Sequence, residues 1–149
     1  ETYASTVDAP LAIVLPAETG VVTKEAYDQF DTSPIAPESY ENLSALLRAA
    51  GQDAASIELA PDNAAASKQF IQQVASLLFN NLAPAAKSLK PQVAEVEEWL
   101  KAQPGVLGAQ VSGSGSSSFA LCESQDAANA IAAAAQAKGW RGFSTTCKL

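Results

Sequence analysis

Val111-Ser112-Gly113-Ser114-Gly115-Ser116-Ser117-Ser118-Phe119-Ala120-Leu121 is the stretch whose reading decides how this chain folds. Leu107, Ala109 and Val111 alternate before the glycines, and Phe119 and Leu121 alternate after them, as residues of half-buried strands do. A Gly/Ser run between two such strands reads as the loop of a β-hairpin rather than as a flexible linker. Its glycines let the backbone turn tightly and approach a ligand closely. Successive N–H groups in such a turn form a concave nest for anionic oxygens, and Ser112, Ser114 and Ser116 add donors. The run lacks the Gly-Lys-Ser/Thr ending of a Walker phosphate loop and the spacing of a dinucleotide fingerprint. On the residues alone, two readings stay open: a loop that holds an anion, or a hairpin turn that binds nothing.

Downstream of the hairpin, Ser124 caps an Ala-rich helix that runs through Lys138 and closes at Gly139, and residues 140–149 read as a final strand. Upstream, Pro91 suits the first turn of a helix that points Val93, Val96, Trp99 and Leu100 inward and Glu95, Glu97 and Glu98 toward water, with Pro104-Gly105 ending it. A preceding helix begins near Ser67, carries Phe70, Ile71, Val74, Leu77 and Leu78 at helical spacing, and continues to about Asn81 or Ala86. Residues 52–66, rich in Ala, Asp and Asn, read as a surface loop or insertion. A helix from Glu38 places Tyr40, Leu43 and Leu47 on one face and stops at Gly51, after a turn-rich break from Ser33 to Pro37. Leu11–Leu15 is a buried strand ended by Pro16. Thr23 then N-caps a short helix to about Asp31, with Glu25 in its first turn and Ala26, Tyr27 and Phe30 on one side. The expected fold is α+β: a mainly antiparallel sheet with helices packed on one face, its terminal hairpin–helix–strand unit ferredoxin-like in outline.

At 149 residues and 48% hydrophobic content the chain reads as one domain, residues 1–149, able to build a core. Sixteen acids against nine bases leave a net charge of −7, and the scattered basic residues, with arginine only at 48 and 141, argue against a nucleic-acid surface. No apolar run reaches membrane-spanning length, and the chain reads as soluble and cytoplasmic. The absence of histidine excludes a histidine general base, a Ser-His-Asp triad and the common zinc sites. Cys122 and Cys147 have no metal-ligand spacing; two buried free thiols in a reducing compartment is the expectation, with a disulfide between neighbouring strands left open. The chain has no methionine, even at position 1, which points to a fragment of something longer.

Candidate chemistry is sparse. The glutamates at 95, 97 and 98 read as a solvated helix face rather than a metal or acid–base site. Ser112, Ser114 and Ser116 have no base partner, and Asn80 and Asn81 read as helix caps. Tyr27, one helical turn after Thr23, either stacks on a nucleobase or packs in the core beside Phe30.

Taken together, three segments resemble the C-terminal domain of the GHMP kinase superfamily. Leu11–Pro16 followed by Gly20-Val21-Val22-Thr23-Lys24-Glu25-Ala26-Tyr27 resembles its strand and its Ser/Thr-x-x-x-aromatic helix start. Phe79-Asn80-Asn81-Leu82-Ala83-Pro84-Ala85 is similar to its Asn-Asp-Leu-x-x-x-Ala segment, and Val111 to Ser116 to its third conserved motif. The resemblance runs in order over nearly the whole chain. It implies the substrate-binding half of a kinase that uses ATP and Mg. Within the superfamily it points to kinases acting on the 2-hydroxyl of 4-diphosphocytidyl-2-C-methyl-D-erythritol, in non-mevalonate isoprenoid biosynthesis. It further implies that Thr23 and Tyr27 bind substrate, Tyr27 helping to sandwich the cytosine. By the same resemblance, Ser112, Gly113, Ser114, Gly115 and Ser116 lie beside the phosphates. The family's ATP loop and its catalytic Asp and Lys belong to an N-terminal domain. The implied partner is therefore that domain, and this chain holds no catalytic residue and is expected to be inactive alone. Three features depart from the pattern: Asn81 stands where Asp is usual, residues 52–66 look longer than the family's connection, and Ser117 replaces the usual Pro, Ala or Cys. Homoserine, mevalonate or galactose kinase domains carry a similar glycine motif. From other classes, a non-catalytic ferredoxin-like ligand-binding module and a plain interaction domain are the alternatives.

Overall fold

A computed structural model describes residues 7–17, 20–33, 41, 44–45 and 64–149. Its elements are β1 (Asp8–Leu15), α1 (Thr23–Asp31), α2 (Ala64–Ser76), α3 (Ala83–Leu89), α4 (Pro91–Lys101), β2 (Val106–Val111), β3 (Ser118–Cys122), α5 (Gln125–Ala137) and β4 (Arg141–Lys148). The strands form one sheet in the order β2-β3-β1-β4, every neighbouring pair antiparallel. The hairpin is present as expected, with Val111 opposite Ser118 at its mouth. Ser124 caps α5 by accepting the Ala127 N–H at 3.1 Å, and the chain leaves that helix through Gly139 at φ +81°.

Strand β1 starts three residues earlier than its apolar run. Asp8, Ala9 and Pro10 pair with Lys148, Cys147 and Thr146 of β4, whereas pairing with β3 begins only at Leu11. Pro10 therefore sits where one side of the strand has no neighbour, which is where a residue without an N–H is tolerated. The long helix expected from Ser67 begins at Ala64 and stops at Ser76; a separate helix, with Pro84 in its first turn, starts at Ala83. Residues 64–66 thus belong to a helix rather than to a loop, while 52–63 and most of the helix expected from Glu38 lie outside the described residues.

Alternation along the strands divides the core. Ala12, Val14, Ala109, Ala120 and Cys122 meet Val96 and Leu100 of α4 and Ala128, Ile131 and Ala135 of α5 on one face of the sheet. This is the expected antiparallel α+β arrangement, with one addition. Helix α2 lies on the opposite face, where Ile71, Val74 and Ala75 cover Ala9 and Leu121. There the backbone of α2 comes so near β2 that a side-chain carbon on Gly108 would lie 2.7 Å from the Ala75 carbonyl oxygen. A third cluster, Val21, Ala26, Ala83, Ala86, Val93 and Val111, lies at the hairpin end of the sheet.

Glu97 does not face water with Glu95 and Glu98. It is 1% exposed and bridges Lys87 of α3 and Lys101 of α4, the second at 2.6 Å. Burial alone pushes its carboxyl up, but the hydrogen bonds and charges of Lys101 and Lys87 outweigh that and hold it below its ordinary value. A carboxylate with a lowered folded-state pKa stabilises the fold in full above its ordinary 4.5, and that contribution fades as pH falls through the folded value. Glu97→Gln should therefore cost about 1–2 kcal/mol at pH 7, less than a fully buried pair because both lysines can turn to solvent. Urea denaturation across pH checks this: the gap to the parent should close below pH 4.5, and a gap that persists or widens there contradicts the ion-pair account.

Cys122 is buried and Cys147 half-buried, both as free thiols. They stand on β3 and β4 with β1 between, about 10 Å apart by strand spacing and beyond disulfide reach, so the disulfide left open above is ruled out. Burial pushes both thiols up, which keeps them protonated and inert.

Candidate functional site

The residues singled out around the glycine run come together at one end of the sheet. Gly113 and Gly115 have φ of +55° and +83°, a region that side-chain-bearing residues avoid. The Ser112 N–H donates to the Ser117 carbonyl at 2.9 Å and the Gly115 N–H to the Ser112 carbonyl at 3.0 Å, closing the loop on itself. A carbon added to Gly115 would touch Ala86, Val21 and Val111, so this glycine seats the loop on the third core cluster. A carbon added to Gly113 would meet nothing within 4 Å, so this glycine faces open space. Among the described residues, the N–H groups of Gly113, Ser114 and Ser116 make no hydrogen bond.

Thr23 was expected to cap α1, yet it is the helix's first residue; Val22 holds the cap position, with no side-chain hydrogen bond to the helix. Its hydroxyl instead lies 3.1 Å from the Ser114 hydroxyl, joining α1 to the loop. The positive end of α1 thus adjoins the loop's free N–H groups, and both favour an anion. One turn along, Tyr27 is 52% exposed while its neighbour Ala26 is fully buried. Tyr27 is therefore no part of the core, and Ala26 is the residue that fixes the helix there.

Asn80 is the participant that sequence reasoning undervalued. Its side chain donates to the carbonyls of Val111 and Gly113 and accepts from the Leu82 N–H, so it ties the loop to the start of α3 as well as capping a turn. In the sequence it reads as a helix cap and as part of the segment that resembles the family's Asn-Asp-Leu motif; which carbonyls it reaches depends on residues more than thirty positions away.

The site's donor set is backbone N–H and hydroxyl groups, which suits phosphate oxygens. Among the described residues there is no cluster of acidic, cysteine or histidine side chains able to hold a metal. Glu95 and Glu98 belong to a solvated face and Glu97 to an ion bridge with Lys87 and Lys101. A cleft of about 300 Å³ lies along β2, bordered by Ala75, Leu78 and Lys101, and none of the site residues lines it. No helix among the described residues is long and apolar enough to cross a membrane.

Residues 62–140, more than half of the chain, match the family model described as GHMP kinases C terminal. The chain is 36% identical over 121 residues to the 4-diphosphocytidyl-2-C-methyl-D-erythritol kinase of Desulfitobacterium hafniense (strain Y51), a match covering 81% of this chain and 36% of that protein. Among solved structures, it superposes on a 4-(cytidine 5'-diphospho)-2C-methyl-D-erythritol kinase with a TM-score of 0.64 at 24% identity, covering 96% of this chain and 44% of the other. Homoserine kinase from Cytophaga hutchinsonii gives 0.57 at 22% identity, covering 98% and 43%. These two are likenesses of fold. The chain spans just over a third of the relative it matches over most of its own length.

Proposed function

This chain belongs to the GHMP kinase C-terminal family, and we propose that it is the substrate-binding half of an ATP-dependent kinase acting on the 2-hydroxyl of 4-diphosphocytidyl-2-C-methyl-D-erythritol. The observation that carries this reading is the contact between Thr23 and Ser114. It places the exposed ring of Tyr27 one helical turn from a loop whose Gly113, Ser114 and Ser116 N–H groups have no partner among the described residues, so an aromatic surface and an anion nest share one patch. A substrate with a nucleobase at one end and phosphates toward the other matches that patch in chemistry and order. Tyr27 stacks on the base; the residues at 112–116 cradle phosphate oxygens; Thr23 keeps the two in register.

Phosphoryl transfer relies on positioning and on electrostatic clamping of the phosphates. This chain supplies the positioning wall and, in this proposal, no catalytic residue. The catalytic aspartate and lysine and the site for ATP with its Mg belong to an N-terminal kinase domain, which is also the partner proposed for this chain. We place the protein in the cytoplasm, in keeping with its two free thiols, and assign it no nucleic-acid or membrane partner.

The test is ADP release by the full-length protein with Mg-ATP and, in parallel, the cytidyl substrate, homoserine and mevalonate. Turnover with the cytidyl compound alone is expected; turnover with another alcohol overturns the substrate, and silence with all three overturns the kinase reading. In the same assay Tyr27→Ala should raise KM for the cytidyl substrate about tenfold or more, the worth of one base–aromatic stack. Its melting temperature should stay near the parent's, because an exposed ring contributes little to the core. A large loss of stability with unchanged KM would reject the stacking role.

A further inference from the structure

The Asn80 side chain makes three hydrogen bonds, all to backbone. Its Nδ2 donates to the Val111 carbonyl at 2.8 Å and the Gly113 carbonyl at 2.7 Å, and its Oδ1 accepts from the Leu82 N–H at 2.9 Å. A peptide unit is planar and trans, so a carbonyl held on one side turns the next residue's N–H to the other. Holding the Gly113 carbonyl therefore aims the Ser114 N–H away from Asn80. The Ser112 carbonyl, engaged by the Gly115 N–H at 3.0 Å, does the same for the N–H of Gly113. Both are loop N–H groups without a partner among the described residues. Gly113 has no side chain to hold this conformation; the Ser112 carbonyl is held from within the loop, and the Gly113 carbonyl is held from outside it, by Asn80.

We propose that Asn80 is the positioning residue of the glycine loop: its amide holds the carbonyls of Val111 and Gly113, turns the Ser114 N–H outward and so sets it beside the Gly113 N–H for a phosphate. The proposal rests on the phosphate role given to the loop above. It requires the amide specifically. An aspartate would keep the shape and the bond from Leu82 but set a carboxylate oxygen against two carbonyls, whereas a cap alone would accept either residue.

The experiment compares the parent with Asn80→Asp, using the full-length protein labelled with ¹⁵N-glycine and ¹⁵N-serine. The expected result is a parental circular dichroism spectrum, displaced or broadened Gly113 and Ser114 amide resonances, and kcat reduced about tenfold or more with KM for the alcohol little changed. A lowered melting temperature with parental Gly113 and Ser114 resonances and parental kcat would mean that Asn80 is only a cap and would overturn the proposal. If Asn80→Asp does not fold, Asn80→Ser carries the same readouts, since serine still accepts from the Leu82 N–H but cannot reach either carbonyl. If the parent turns over none of the alcohols, the kinase reading fails on its own, and the amide resonances still decide the role of Asn80.

Discussion

Gly142→Ala should lower the stability of this protein by about 3 kcal/mol or more, the upper end of what overpacking costs, because the clash is with backbone. A side-chain carbon on Gly142 would lie 2.3 Å from the Ala132 carbonyl oxygen and 3.0 Å from two further backbone atoms of that residue. A flexible side chain could yield; a helix cannot, so α5 has to slide off β4 or the strand has to bend. Denaturant unfolding should show the loss, and the melting temperature should fall by about 6–12 °C. The edge-to-face pair of Trp99 and Trp140, 5.3 Å apart beside the start of β4, should report the displacement in near-ultraviolet circular dichroism. Gly139→Ala is the control: Gly139 has positive φ, unlike Gly142, but nothing lies within 4 Å of an added carbon, so only a backbone penalty of about 1 kcal/mol is expected. Equal effects at the two positions would show that close approach is not what Gly142 provides.

The second large effect is on turnover. Gly113→Val should reduce kcat/KM of the full-length protein about 100-fold, as losing a preorganised oxyanion donor does. At φ +55° a β-branched residue costs about 1–3 kcal/mol, which leaves a protein of ordinary stability folded. The loss of activity would therefore come from the site, where the valine side chain projects into the open space beside the loop. Near-parental turnover of a folded Gly113→Val protein would remove the loop from the phosphate site. Inactive protein that has also lost its circular dichroism signal would leave the phosphate role to be decided by Gly113→Ala, whose smaller side chain should cost turnover less than valine does.

Much of this molecule is written in local pattern. The hairpin followed from alternation on both sides of a glycine run, α4 from Pro91 and its apolar stripe, and α5 from Ser124 and Gly139, because each depends on residues within a few positions of one another. What failed locally did so for a definable reason. Periodicity in the helix expected from Ser67 continues past Ser76 because Leu77 and Leu78 are apolar, yet the chain breaks there and Asn80 turns to the carbonyls of Val111 and Gly113. Glu97 sits between two glutamates that do face water; Lys87, arriving from another helix, joins Lys101 of its own helix to make its burial tolerable.

The sequence by itself determined the fold class, the glycine loop and the family, since periodicity, turn chemistry and ordered motifs are properties of neighbouring residues. Tertiary structure alone decided that Thr23 meets Ser114, that Tyr27 stands exposed while Ala26 is buried, that Asn80 braces the loop, and that Gly142 leaves room for a helix. Each of those facts joins groups from different elements, and a contact across the fold has no signature until packing brings its two halves together.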